Sequence, residues 1–227
     1  MFFLNVNGGR KMDTKKRPII IDTDPGIDDA VALAIALNHP NLEVRLITTV
    51  AGNVDVEKTT NNALKLVDFF GKKVPVAKGC NCPLLIQLED SAEIHGETGM
   101  DGFEFPQPIS TCLDIHAVEA MRKEILSSDV PLTIVPIAAL TNIALLLTLY
   151  PEVKENIAEI VMMGGSLARG NTNTSAEFNT YVDPHAAQIV FQSGVPLTMV
   201  GLDVTSQAVL TNHEDRKSTR LNSSHQL

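Results

Sequence analysis

The stretch Pro18–Ala30, PIIIDTDPGIDDA, decides how the rest of the chain is read. Ile19, Ile20 and Ile21 form a short, continuous apolar run of the kind found in a buried strand. Pro25-Gly26 then supplies a tight turn, and Ala30 to Leu37 continues as an apolar, helix-forming run. The order is strand, turn, helix. In an open α/β sheet, ligands bind where the carboxyl end of a strand meets the helix that follows. Four carboxylates, Asp22, Asp24, Asp28 and Asp29, crowd into this junction. They would repel one another strongly unless something neutralised them. A helix N-terminus helps Asp28 and Asp29 only modestly. A hard divalent cation answers the problem better, because Ca²⁺ and Mg²⁺ take carboxylate, carbonyl and water oxygens. The plainer reading makes Asp28 a helix cap and leaves the other aspartates lining a solvated turn.

Composition narrows the class. A chain of 227 residues with 44% hydrophobic content suits one α/β domain with a sizeable core. A net charge of −9 argues against nucleic-acid or anionic-membrane partners, which select basic faces. Cys80, Cys82 and Cys112 are too few and too odd in number for a disulfide framework. The Cys80-x-Cys82 spacing has no second ligand pair, so these read as loop cysteines in a reducing cytoplasm. No apolar run reaches the roughly 18 residues needed to cross a bilayer. Residues 1–16 make a poor signal peptide and are read as a disordered extension.

Taken in order, Ile-, Val- and Leu-rich strands alternate with helical patterns. That alternation calls for a doubly wound, mostly parallel sheet with helices on both faces. Strands are placed near Ile19–Asp22, Val44–Thr49, Leu132–Pro136, Glu159–Met163 and Leu197–Val200. Helices are placed near Asp28–Leu37, Val56–Phe70, Ile115–Ser127, Asn142–Leu149 and Pro184–Gln192. Right-handed crossovers would bring several strand ends to one edge. Asn53 closes the second strand, where its amide could meet a ligand hydroxyl or simply cap a turn. Ser91 to Pro108 reads as a long loop carrying His95-Gly96-Glu97, and long loops in compact domains are functional or mobile. Asp183-Pro184 has the form of an N-cap followed by a first-turn proline, a structural feature.

Several of these segments together resemble one family. DTDPGIDDA (Asp22–Ala30), TTVAGN (Thr48–Asn53), HGETGM (His95–Met100), MGGS (Met163–Ser166), AEFN (Ala176–Asn179), Asp183-Pro184 and GLDVT (Gly201–Thr205) are similar to the motifs of the inosine-uridine preferring nucleoside hydrolases. The likeness runs roughly from Arg17 to Thr211. It implies a Ca²⁺-dependent N-glycosidase that cleaves a ribonucleoside to ribose and free base. It also implies a set of roles. Asp24 would ligate the cation and take a proton from the attacking water, and Asp29 and the Ile137 carbonyl would complete the ligands carried here. Asp28, Asn53, Met163, Asn171, Glu177, Phe178 and Asn179 would bind substrate, His95 would act beside the base, and Asp22 would support the cluster from behind. Relatives of this kind imply a dimer or tetramer for the full-length protein.

The chain also departs from the family pattern. Where the family carries glycine after the carbonyl ligand, this sequence has Ala138 and Ala139. Any backbone angle reserved for glycine would be costly there. Asp215 to His225, DRKSTRLNSSH, is polar and without apolar periodicity. It reads as a translated sequencing adapter, which confines the domain to residues 17–214 and makes 215–227 a non-native tail. The family's C-terminal His-Asp pair then has no counterpart, and a non-catalytic ribose- and metal-binding fragment becomes the alternative function. A strand followed by D-x-D also opens haloacid-dehalogenase-type Mg²⁺ phosphohydrolase sites. That reading wants Thr or Val where Gly26 stands, and a basic residue aimed at phosphate.

Overall fold

A computed structural model describes residues 16–208. The expectations for residues 1–15 and for the tail from Asp215 therefore lie outside the described residues. Six strands form one parallel sheet: β1 (Arg17–Thr23), β2 (Leu42–Thr49), β3 (Val76–Lys78), β4 (Leu132–Pro136), β5 (Ile157–Met163) and β6 (Leu197–Val200). Their order across the sheet is β3-β2-β1-β4-β5-β6. The strand order reverses between β1 and β4, and such a reversal opens a crevice at the carboxyl edge.

The main helices are α1 (Ile27–Asn38), α2 (Val56–Phe69), α4 (Ala117–Ser127), α5 (Thr141–Leu149) and α7 (Pro184–Phe191). Three short ones, α3 (Ala92–His95), α6 (Phe178–Val182) and α8 (Leu202–Thr205), sit in the loops. Alternation along β1 splits the core in two. Ile20 joins Leu46, Ile134 and Ile160 under α4, α5 and α7, while Ile19 and Ile21 join Leu33 of α1 and Leu66 of α2 on the other face. Helices thus cover both faces, as the alternating pattern requires.

Two expectations need correction. Strand β3 went unread because it has only three residues at a sheet edge. Within the loop expected from Ser91 to Pro108, residues Ala92–His95 turn helically and stop at Gly96, whose φ of +82° suits glycine. Asp183 behaves as read: its Oδ1 accepts the Ala186 N–H at 2.9 Å and caps α7. Among the described residues no helix is long and apolar enough to cross a membrane.

Candidate active site

The acidic junction lies at the carboxyl end of β1, beside the point where the strand order reverses. Asp24 is buried, with Oδ2 accepting the Asn53 N–H at 2.7 Å. The Asn53 side-chain amide donates to the Asp24 carbonyl at 3.0 Å and to Asp29 Oδ2 at 3.3 Å. Asp29, in the first turn of α1, also accepts from Thr23 Oγ1 at 2.9 Å and from the Gly26 N–H at 3.0 Å. Gly26, not Asp28, is the N-cap of α1; Asp28 stays exposed on the first turn. The plain capping reading of Asp28 therefore does not hold. Gly52 lets the turn after β2 come this close to Asp24, since a Cβ there would come within 2.1 Å of Asp24 Oδ2.

Asp22 lies on the same face of β1 as Ile20 and is fully buried. Its Oδ1 accepts from Thr48 Oγ1 and from Asn142 Nδ2, the latter at 2.8 Å. Its Oδ2 has no hydrogen-bond partner among the described residues. Burial pushes Asp22 from an ordinary 3.8 to about 7, against the opposing effect of the Thr48 and Asn142 hydrogen bonds. Burial also lifts Asp29 to about 7, aided by the charge of Asp28. Asp24 rises well above its ordinary value through burial and the charge of Asp29. Among the described residues, these three buried carboxylates have no ion-pair partner.

A second group gathers at the ends of β4 and β5. The Ile137 N–H donates to the Asp22 carbonyl at 2.8 Å, and the Ile137 carbonyl accepts from Asn179 Nδ2 at 3.2 Å. The same amide nitrogen lies 3.2 Å from the Met163 carbonyl and 3.3 Å from its sulfur. Buried Glu177 caps α6 by accepting the Asn179 and Thr180 N–H groups, and it holds the Gly165 N–H at 2.8 Å. Asn171 Oδ1 accepts the Phe178 N–H at 2.9 Å, fastening the exposed loop to α6. His95 ends α3, and its side chain lies outside what the structure describes. Ala138 and Ala139 carry no strain, because among the described residues no residue other than glycine has a positive φ. The cost expected of that departure is absent.

Sequence reasoning gave no individual role to the residues that hold this arrangement. Asn142, Thr48, Asn62 and Ser91 each hydrogen-bond a site residue or its turn. For Asn142, Thr48 and Asn62 the one signal was a polar residue at a position that helical or strand periodicity makes buried, while Ser91 lies in a loop and gave none. Among the described residues no group of three or more His, Cys, Asp or Glu side chains comes together as a metal centre. Asp24, Asp29 and the Ile137 carbonyl offer oxygen donors only; burial raises both carboxylates, with the charge of Asp29 adding to Asp24 and that of Asp28 adding to Asp29. This partial set fits a hard cation in its chemistry.

Comparisons with known proteins agree with the fold. A family model described as inosine-uridine preferring nucleoside hydrolase matches residues 19–226. A non-specific ribonucleoside hydrolase from Klebsiella pneumoniae is 53% identical over 193 residues, covering 85% of this chain and 64% of that protein. The chain thus spans under two thirds of the length of the curated relatives it matches. Among solved structures, a purine-preferring ribonucleoside hydrolase from Gardnerella vaginalis superposes with a TM-score of 0.87 at 39% identity, covering 91% of this chain and 67% of the other. A plant nucleoside hydrolase superposes at 0.78 with 35% identity, covering 84% of this chain and 61% of its own.

Proposed function

The chain belongs to the inosine-uridine preferring nucleoside hydrolase family, and from that premise we propose that its site hydrolyses the N-glycosidic bond of ribonucleosides. The observation that carries this reading is the pair of buried carboxylates, Asp24 and Asp29, delivered by β1 and α1 to the crevice where the strand order reverses. The haloacid-dehalogenase alternative has no support from the family match. A hard divalent cation, which we take to be Ca²⁺, would be held by Asp24, Asp29 and the Ile137 carbonyl, and would supply positive charge that acidifies water and fixes sugar hydroxyls.

The chain's own residues divide the remaining work. Asp24, buried at the carboxyl end of β1, would accept a proton from the attacking water. The water oxygen bonds to the anomeric carbon, the carbon–nitrogen bond breaks, and the electron pair leaves with the base, which takes up a proton. Positive charge builds on the ribose as that bond breaks, and the acidic crevice is the right environment for it. Asp28, Asn53, Asn171, Glu177 and Asn179 would hold the ribose hydroxyls, with Met163 and Phe178 against the sugar and base. His95 would protonate the departing base. We further propose that the full-length protein is a homo-oligomer and that it works in the cytoplasm.

The test is release of reducing sugar from inosine and uridine, with and without a chelator, beside Asp24→Asn. Chelator-sensitive release that falls at least about 1000-fold in Asp24→Asn supports the reading. Nucleoside binding without release would instead make this a ribose-binding site.

A further inference from the structure

Asn62 belongs to none of the motifs above, yet one atom of it touches both walls of the site. It lies on α2 and is 1% exposed. Its Nδ2 donates to the Pro25 carbonyl at 3.1 Å, inside the turn between the aspartates, and to the Thr98 carbonyl at 2.8 Å, inside the loop that carries His95. An amide nitrogen has two protons, and both are used here.

The loop needs such an anchor. Gly96, Gly99 and Gly102 have φ values of +82°, +84° and +111°, so the segment has little conformational preference of its own. One end is tied to Asn53, through Ser91 Oγ at 2.9 Å and the Ser91 N–H at 3.1 Å. At the other end Met100 is buried in the core beside Ile19 and Leu33. Between them, Gly99 packs so closely that a Cβ would come within 3.1 Å of Asn62 Nδ2 and 2.9 Å of Val54 Cγ2.

We propose that Asn62 is a positioning residue that seats the Ser91–Met100 loop against the Asp24–Gly26 turn, so that the height of the loop over the crevice is set by α2. The consequence for substrate rests on the nucleoside-hydrolase reading; the seating itself does not. In Asn62→Asp, a carboxylate would face two carbonyl oxygens and could donate to neither. Gly99→Ala disturbs the same contact from the loop side without touching α2. Asn61→Asp makes the identical chemical change one position earlier and serves as the control.

The experiment is hydrogen exchange on the full chain, comparing the amides of Gly96, Gly99 and Met100 with those of β1 and β4. Asn62→Asp and Gly99→Ala are expected to exchange at least tenfold faster in the loop while the strands keep their wild-type rates and Asn61→Asp changes neither. With inosine as substrate, both variants are expected to raise KM at least fivefold; a smaller folded fraction would lower kcat and leave KM where it was. Loop exchange no faster than that of the strands, or an unmoved KM with reduced kcat, overturns the proposal. A wild-type chain without turnover overturns the functional reading, and loop-confined exchange in the variants would still establish the seating.

Discussion

At Gly52 the absence of one carbon decides where a carboxylate can sit. An added Cβ would lie 2.1 Å from Asp24 Oδ2, which is itself held by the Asn53 N–H at 2.7 Å. Alanine at position 52 must therefore push Asp24 off its hydrogen bond, while most of the core is untouched. Displacement of a reacting group by about 1 Å costs on the order of 100-fold in rate. Gly52→Ala is accordingly expected to lose about that factor in ribose release while its circular dichroism stays that of the parent. Activity within threefold of the parent would show that Asp24 does not need this position. Asn53 shows the reverse economy, since its amide serves both Asp24 and Asp29 and its Oδ1 accepts from Ser91.

Among the elements, α5 does more than cover the sheet. At its N-terminus the buried Asn142 donates to Asp22 Oδ1 at 2.8 Å and to the Thr49 carbonyl at 2.9 Å, and it accepts the Cys80 N–H at 3.0 Å. One side chain from the first turn of α5 thus ties the carboxyl ends of β1 and β2 and the exit from β3. Removing it leaves buried donors and acceptors unmatched, at about 1–3 kcal/mol each. Asn142→Ala is expected to cost about 3 kcal/mol in urea unfolding; a loss below about 1 kcal/mol would mean that the strand ends hold without it. Such ties also explain what could be read from the sequence. The apolar runs located five of the strands and the five long helices, because each has a period of its own. The acidic turn was legible because four carboxylates between Asp22 and Asp29 need a cause. Asn142 was not, since it lies 120 positions from Asp22 and only the right-handed crossovers bring them together. Strand β3 had too few residues to show a period.

For the whole molecule, the unbalanced carboxylates become a matter of stability. Asp22 and Asp29 rise from 3.8 to about 7 chiefly because burial penalises their charged forms, and Asp24 rises for the same reason and because Asp29 is near. A group whose value is higher in the folded state favours folding in its protonated form. That contribution is complete below about pH 4 and disappears as the pH climbs through about 7. The cation-free protein should therefore melt progressively lower between pH 5 and pH 8. A cation that binds only the folded state stabilises it by mass action, and its ligands must be deprotonated to receive it. Excess Ca²⁺ is thus expected to raise the melting temperature by about 5 °C or more at pH 8 and by far less at pH 5. Asp22→Asn removes one buried acid that the proposed ligand set does not include, so it should flatten the cation-free pH dependence and leave the Ca²⁺ response in place. Thermal melts of both proteins, with chelator and with Ca²⁺ across this range, separate the two effects. A flat profile in the cation-free parent, or a Ca²⁺ gain equal at both pH values, would show that these carboxylates are already balanced within the fold.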